Sequence, residues 1–312
     1  MTALLLDSGT AGAKPSAPTR RRGGGLLRAV LSSKKAMVGL VLFLIFAIFA
    51  IAPGWFTSVD DPNKLAFPPS LPPSADHWLG TTALGQDIWA QLVYGTRQSL
   101  VIALVAGWFA TVLSVIVGVS AAYLGGAADD VLSSITNIFL VLPTFPLIIV
   151  LATYAGKGTL SVVLIVLIVT GWSYGANQMR AQALSLRNRD FLESARVRGE
   201  RRSYIIVVEV LPTMISLIVA NFLGAAVYSV LTAAGLQFLG LGDPNSISWG
   251  TMLYWSQNQQ ALQTGSPLWS IAPGLCVALL GASFALINYA FDEISNPALR
   301  PVRRRRAKRL HA

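Results

Sequence analysis

The sequence predicts an all-α, polytopic membrane protein with six transmembrane helices. Three observations carry that prediction. Of the 312 residues, 54% are hydrophobic and only 12% charged, against roughly 25% charged in an average soluble domain, and the mean hydropathy is +0.58. Six apolar runs are long enough to cross a hydrocarbon layer of about 30 Å, and none contains Asp, Glu, Lys or Arg. The basic residues fall on one side of these runs. Seven precede the first, seven lie between the fourth and fifth, and seven follow the sixth, leaving Lys64, Arg97 and Lys157 opposite. Positive residues stay cytoplasmic, so both termini and the fourth-to-fifth loop are expected inside.

The same numbers exclude other classes. Disorder needs low hydrophobicity and many charges, and a disulfide scaffold needs more than the single Cys276. The net charge of +10 suits nucleic acid in principle. Its placement beside spans, including Arg303 to Arg306, instead reads as a topology anchor on anionic lipid.

Residues 1–33 are rich in Gly, Ala, Pro and Arg without apolar periodicity, and read as a disordered, basic cytoplasmic tail. Residues 34–98 hold the first span, 36–55, and an external segment whose prolines favour extended chain. The leader and apolar run of the first span exceed those of a cleavable signal. Residues 99–295 form the core, with spans at 99–124, 131–154, 159–176, 212–235 and 269–291. A short amphipathic helix over 84–98 is expected to lead into the second span. Pro143 and Pro146 should kink or interrupt the third. Gly171 and Gly175 form a small-xxx-small pair suited to close helix contact. Trp249, Trp255 and Trp269 read as aromatic interface anchors or as part of a docking surface. Residues 296–312 form a basic cytoplasmic tail.

Chemistry concentrates in the cytoplasmic loop 177–211, which is long for a turn. Its pattern is helical, breaks at Gly199, and resumes up to Pro212. Glycine accepts the left-handed cap cheaply, so a short helix-turn-helix at the membrane surface is expected. Physically this is a docking knob for a cytosolic partner. An embedded enzyme would need paired carboxylates or a histidine beside a nucleophile. The histidines are only His77 and His311, no span carries a carboxylate, and no metal-ligand spacing occurs. An autonomous channel or secondary transporter would have little need of this basic loop.

The loop resembles the EAA loop of ATP-binding-cassette importer permeases, through Glu193-Ser194-Ala195, Gly199 and Val210-Leu211-Pro212, with Ser194 replacing an alanine. Further stretches resemble the dipeptide/oligopeptide branch, closest to its "C" permease. They are His77-Trp78-Leu79-Gly80-Thr81, Leu84-Gly85-Gln86-Asp87, Tyr94-Gly95-Thr96-Arg97-Gln98-Ser99-Leu100, Gln237-Phe238-Leu239-Gly240-Leu241-Gly242, Ser248-Trp249-Gly250 and Asn296-Pro297-Ala298-Leu299-Arg300. Trp78, Gln86 and Asn296 depart from the usual Pro, Arg and Asp. Family relatives also carry oligosaccharides or nickel.

The resemblance implies a type I importer permease fold and a bacterial inner-membrane location. It implies a second homologous permease, two cytosolic ATPases and an extracytoplasmic substrate-binding protein as partners, with lipid but no nucleic acid. Glu193, Ser194, Ala195, Arg198, Gly199 and Pro212 are then the ATPase-coupling residues. Gly80, Thr81, Asp87, Gly95, Arg97 and Ser99 are the motif residues of the external segment. No catalytic residue, metal or cofactor is expected, ATP being bound by the partners. The chain has no Gly-x-x-x-x-Gly-Lys-Ser/Thr loop.

Overall fold

The computed structural model describes residues 33–154 and 159–295. The tail expected over 1–33, all but its last residue, lies outside them, as do Lys157, the Asn296-to-Arg300 stretch and the tail 296–312. The described chain is helical, and its one antiparallel β-bridge pairs Thr81 with Asp87. The principal helices are α1 (Lys34–Ile51), α2 (Ile88–Leu124), α3 (Gly126–Val141), α4 (Thr144–Tyr154), α5 (Leu160–Gly171), α6 (Ser173–Leu186), α7 (Asp190–Val197), α8 (Ile215–Phe238), α9 (Trp249–Asn258) and α10 (Leu268–Ser295).

Five spans match the expected runs: α1, α2, α5 continuing into α6, α8 and α10. The sixth is α3 with α4, bent by 92°. Its break falls at Leu142-Pro143, where Leu142 is extended (ψ 133°). A residue before proline is driven out of the helical region, so Pro143 makes the break. Pro146 is accommodated in the first turn of α4, where its missing N–H removes no intrahelical bond.

Helix α2 is the axis of the fold. It packs on α8, α6 and α1, while α10 packs on α1 and α8. It runs unbroken for 37 residues, so the helix expected over 84–98 and the second span are one element. Asp87 caps it, its Oδ1 accepting from Ala90 N at 2.7 Å, and Gly125 at φ +65° ends it. Two glycines let backbones meet. A Cβ at Gly107 would lie 2.9 Å from Ala226 N on α8, and one at Gly118 would strike the Ala176 carbonyl on α6. One face of α1 stays apolar and exposed through Met37, Val38, Val41, Ile45 and Ile48.

The anchor reading of the tryptophans fails for two of the three. Trp249 is 0% exposed and Trp269 1%. Trp249 donates from Nε1 to the Leu92 carbonyl at 3.1 Å and from its backbone to Ser99 Oγ at 3.2 Å. It also meets Phe46 edge-on at 5.2 Å. Trp255 stays half-buried and donates to the Pro244 carbonyl. Helix α9 therefore packs against α8, α10 and the start of α2 rather than floating at an interface.

Candidate functional site

The loop after α6 folds as two helical pieces around a turn. Helix α7 carries Asp190 and Glu193 in its first turn and Arg196 in its last, each sign favourable to the helix dipole. Leu192 and Ala195, three residues apart and hence on one face, are both 0% exposed. They pack among Val119, Met179, Ala183, Ile205 and Met214. The opposite face is exposed: Glu193, Ser194, Arg196, Val197 and Arg198. Glu193, Arg196 and Val197 line a groove with Asn188. The helix is thus bonded to the core by its apolar stripe, and its polar stripe is presented outward.

The turn is a Schellman cap. Gly199 has φ +79°. Its N–H donates to the Arg196 carbonyl at 2.9 Å, and Glu200 N–H donates to the Ala195 carbonyl at 3.2 Å. These satisfy carbonyls that the helix end would leave bare. Beyond it, Ile205–Val210 forms a π-helical turn, followed by the single turn Leu211–Thr213 that holds Pro212. Arg198 lies 3.8 Å from Glu209 across the two pieces, both substantially exposed, a contact worth at most about 1 kcal/mol. Arg196 Nη2 donates to the Arg187 carbonyl at 2.9 Å. Below the loop, Arg180 grips Asp129 with a two-bond fork, Nε to Oδ1 at 2.6 Å and Nη2 to Oδ2 at 2.8 Å. It ties α6 to the start of α3.

The motif residues of the segment before α2 and of its first turns gather into a second cluster. Thr81 is 0% exposed. Its Oγ1 donates to the Pro68 carbonyl at 2.7 Å and accepts from Leu71 N at 2.8 Å, and its carbonyl accepts from Ser266 Oγ. Gly80, at φ +79°, lies directly on the Leu71 carbonyl, where a Cβ would collide. Asp87 caps α2 with one oxygen and holds His77 Nδ1 at 2.7 Å with the other. A Cβ at Gly95 would stand 3.3 Å from the Ser248 backbone, and Ser99 receives the Trp249 N–H. These five residues weld the segment before α2 and helix α9 onto α2. Arg97 is the exception: it is exposed and lines a shallow pocket with Tyr94, Gln98 and Asp243.

A third feature has no motif behind it. Where α3 breaks into α4 and α5 into α6, a cavity of about 460 Å³ opens against α8 and α10. Its walls include Thr144, Thr170, Ser173, Gln178, Asn221, Tyr228 and Asn288, and no charged side chain among the described residues. Asn221 Oδ1, Tyr228 Oη and Asn288 Oδ1, on residues of this wall, are themselves shut off from solvent and have no hydrogen-bond partner among the described residues. Gly171 admits the Tyr228 ring and Gly175 the Asn221 amide, each at a distance a Cβ would crowd. The small-xxx-small pair does bring helices close, and what it admits is polar. Single polar residues in otherwise apolar runs were the only sequence signal for this cavity.

Comparison with known proteins places the chain. Residues 114–300 match the family described as binding-protein-dependent transport system inner membrane component. The oligopeptide transport system permease protein OppC of Mycobacterium tuberculosis is 30% identical over 284 residues, covering 89% of this chain and 96% of that protein. The dipeptide transport system permease protein DppC of Bacillus subtilis is 28% identical, covering 88% and 85%. The nickel transport system permease protein NikC of Escherichia coli K12 is 30% identical, covering 86% and 96%. Among solved structures, an inward-facing form of the MetNI methionine ABC transporter superposes with a TM-score of 0.52 at 20% identity. It covers 68% of this chain and 97% of that one, which establishes the shared fold.

Proposed function

The chain belongs to the family of binding-protein-dependent transport system inner membrane components, and on that premise we propose that it is a permease subunit of an ATP-driven importer of di- or oligopeptides. Helix α7 with the Gly199 turn is its contact with a cytosolic ATPase. One observation supports this role above the others: Leu192 and Ala195 lock α7 to the core while Glu193 and Ser194 are exposed on its other side. A helix so held transmits force. A push on its outer face moves the packed ends of α2 and α6 with it, because close-packed interiors shift as units.

The remaining parts of the machine are a second homologous permease, two ATPases and an extracytoplasmic binding protein. Both termini and the α7 loop face the cytoplasm, the orientation that the basic residues favour. This chain is non-catalytic: it lacks the phosphate-cradling loop, and ATP-driven closure of the ATPases biases it between two states. Glu193 sets the angle of α7 in the ATPase cleft, and the five buried external residues hold the outer surface against which the binding protein docks.

The test is uptake by the whole complex in liposomes. Peptide accumulation that requires ATP, the binding protein and both permeases supports the reading. The relation to a nickel permease makes Ni²⁺ the necessary second probe, and Ni²⁺ uptake without peptide uptake would refute it.

A further inference from the structure

Helix α3 is hung within this chain more than it is packed. Of its 16 residues only Thr136 is buried, and its main neighbours are α2 and α6. Both of its ends are broken. At the first, Gly125 and Gly126 stand in succession at φ +65° and +53°, and a Cβ on Gly126 would meet nothing within 4 Å. Glycine passes between the left- and right-handed regions at little cost, so this joint sets where α3 begins without setting its angle. At the second, the extended Leu142 before Pro143 turns the chain by 92° into α4. A helix between two such joints needs a tie to hold its angle. Arg180 of α6 supplies one, with Nε donating to Asp129 Oδ1 at 2.6 Å and Nη2 to Oδ2 at 2.8 Å. A planar fork of two parallel bonds fixes orientation as well as distance.

Arg180 also stands beside the footing of α7. Met179 and Ala183 of α6 are fully buried and pack in one cluster with Leu192 and Ala195 of α7. Helix α6 meets α2 closely at Gly118, where a Cβ would strike the Ala176 carbonyl. The cytoplasm-facing ends of α2, α6 and α7 therefore shift as one packed body. The structure assigns Asp129 and Arg180 as positioning residues that make the broken span α3–α4 follow this body when an ATPase moves α7. With the fork made, motion of α6 turns α3. Without it, the glycine joint absorbs the motion. The far end of α3 lies about 18 Å beyond Asp129, at 1.5 Å per residue. It carries Phe139 and Leu140 into the wall of the 460 Å³ cavity, where the Phe139 ring meets Trp172 at 5.4 Å between centroids. A small change of angle at the fork thus displaces that wall. This deepens the importer reading and rests on it.

The experiment uses the complete transporter in liposomes with its binding protein and a mixture of tri- to pentapeptides. Two rates are read from the same liposomes, ATP hydrolysed and peptide accumulated by mass spectrometry. Their ratio does not depend on how much complex has folded, which separates coupling from stability. The variants are Asp129→Asn, Arg180→Gln, the two together, and Arg180→Lys. Hydrolysis stimulated by the binding protein should persist in all four, because α7 and its outer face are untouched. Peptide carried per ATP should fall about 5–150-fold in each single variant, the range of a coupling energy between two sites. The double variant should fall no further than the worse single one, because both remove the same interaction. Arg180→Lys keeps the charge without the fork and should recover part of the ratio. A parental ratio in both single variants overturns the relay and leaves the importer reading intact. So does a double variant whose loss is the product of the single losses, since the two residues would then act separately. Hydrolysis and uptake lost together at an unchanged ratio also overturn the relay, because the pair would then serve only folding or assembly. Absence of peptide uptake by an unsubstituted complex whose ATPase responds to its binding protein refutes the peptide reading and this inference with it.

Discussion

Gly199 offers the sharpest test of the coupling turn, because the cost of replacing it is almost purely conformational. A Cβ at this position would meet nothing within 4 Å, so no packing penalty clouds the result. The backbone at φ +79° lies in the left-handed region, which costs an ordinary L-residue roughly 1–2 kcal/mol. Gly199→Ala should therefore shift the equilibrium between formed and open turn about 5–30-fold toward open. Asparagine tolerates this region better, so Gly199→Asn should lose less. Proline fixes φ near −65° and removes the N–H given to Arg196 at 2.9 Å, a change of about 3 kcal/mol or more. The expected order of uptake is Gly, then Asn, then Ala, with Pro inactive. The assay is substrate-stimulated ATPase activity and uptake by the reconstituted complex, beside a check that each variant inserts and assembles. Alanine at the parental rate, or asparagine below alanine, would refute the claim that the left-handed turn is what couples the subunits.

Three further outcomes are expected. Ala195→Leu forces a larger side chain into a fully buried site; overpacking of this kind costs about 1–3 kcal/mol, and uptake should fall sharply while membrane insertion, measured by carbonate extraction, persists. Gly118→Val drives two methyl groups toward the Ala176 carbonyl and Met179 Cβ, so the complex should lose thermal stability in detergent, whereas Gly224→Ala, where a Cβ meets nothing, should leave it unchanged. Thr81→Val removes the acceptor of Leu71 N–H and the donor to Pro68, a loss of about 1–3 kcal/mol, and limited proteolysis should then cut the segment before α2 faster than in the parent.

Hydropathy and turn chemistry carried much of this protein in the sequence. Runs free of charge marked the spans because burying an ion in lipid costs more than any neighbour can refund locally. Pro143 located the break in the third span, and Gly199 located the loop's turn, because both act through their own backbone. The continuity of α2 from Ile88 was not legible. Its first ten residues mix Gln, Tyr, Gly and Arg among apolar groups, and only packing of Gly95 against Ser248 shows why most of them are buried while Arg97 stays exposed. The tryptophans misled for a related reason. Trp249 has the composition of an interface anchor, yet Leu92, Ser99 and Phe46 enclose it.

The sequence by itself determined which segments are apolar enough to cross a membrane and where the chain bends. Each of these follows from a residue's own transfer energy or backbone preference. Only the tertiary structure decided that Asn221, Tyr228 and Asn288 line one cavity wall, that five motif residues around the start of α2 brace it against its neighbours, and that Leu192 and Ala195 bind α7 to the core. Those are relations between residues far apart in the chain, and they come into being when helices pack closely enough to pair, or to leave unpaired, the groups each one carries.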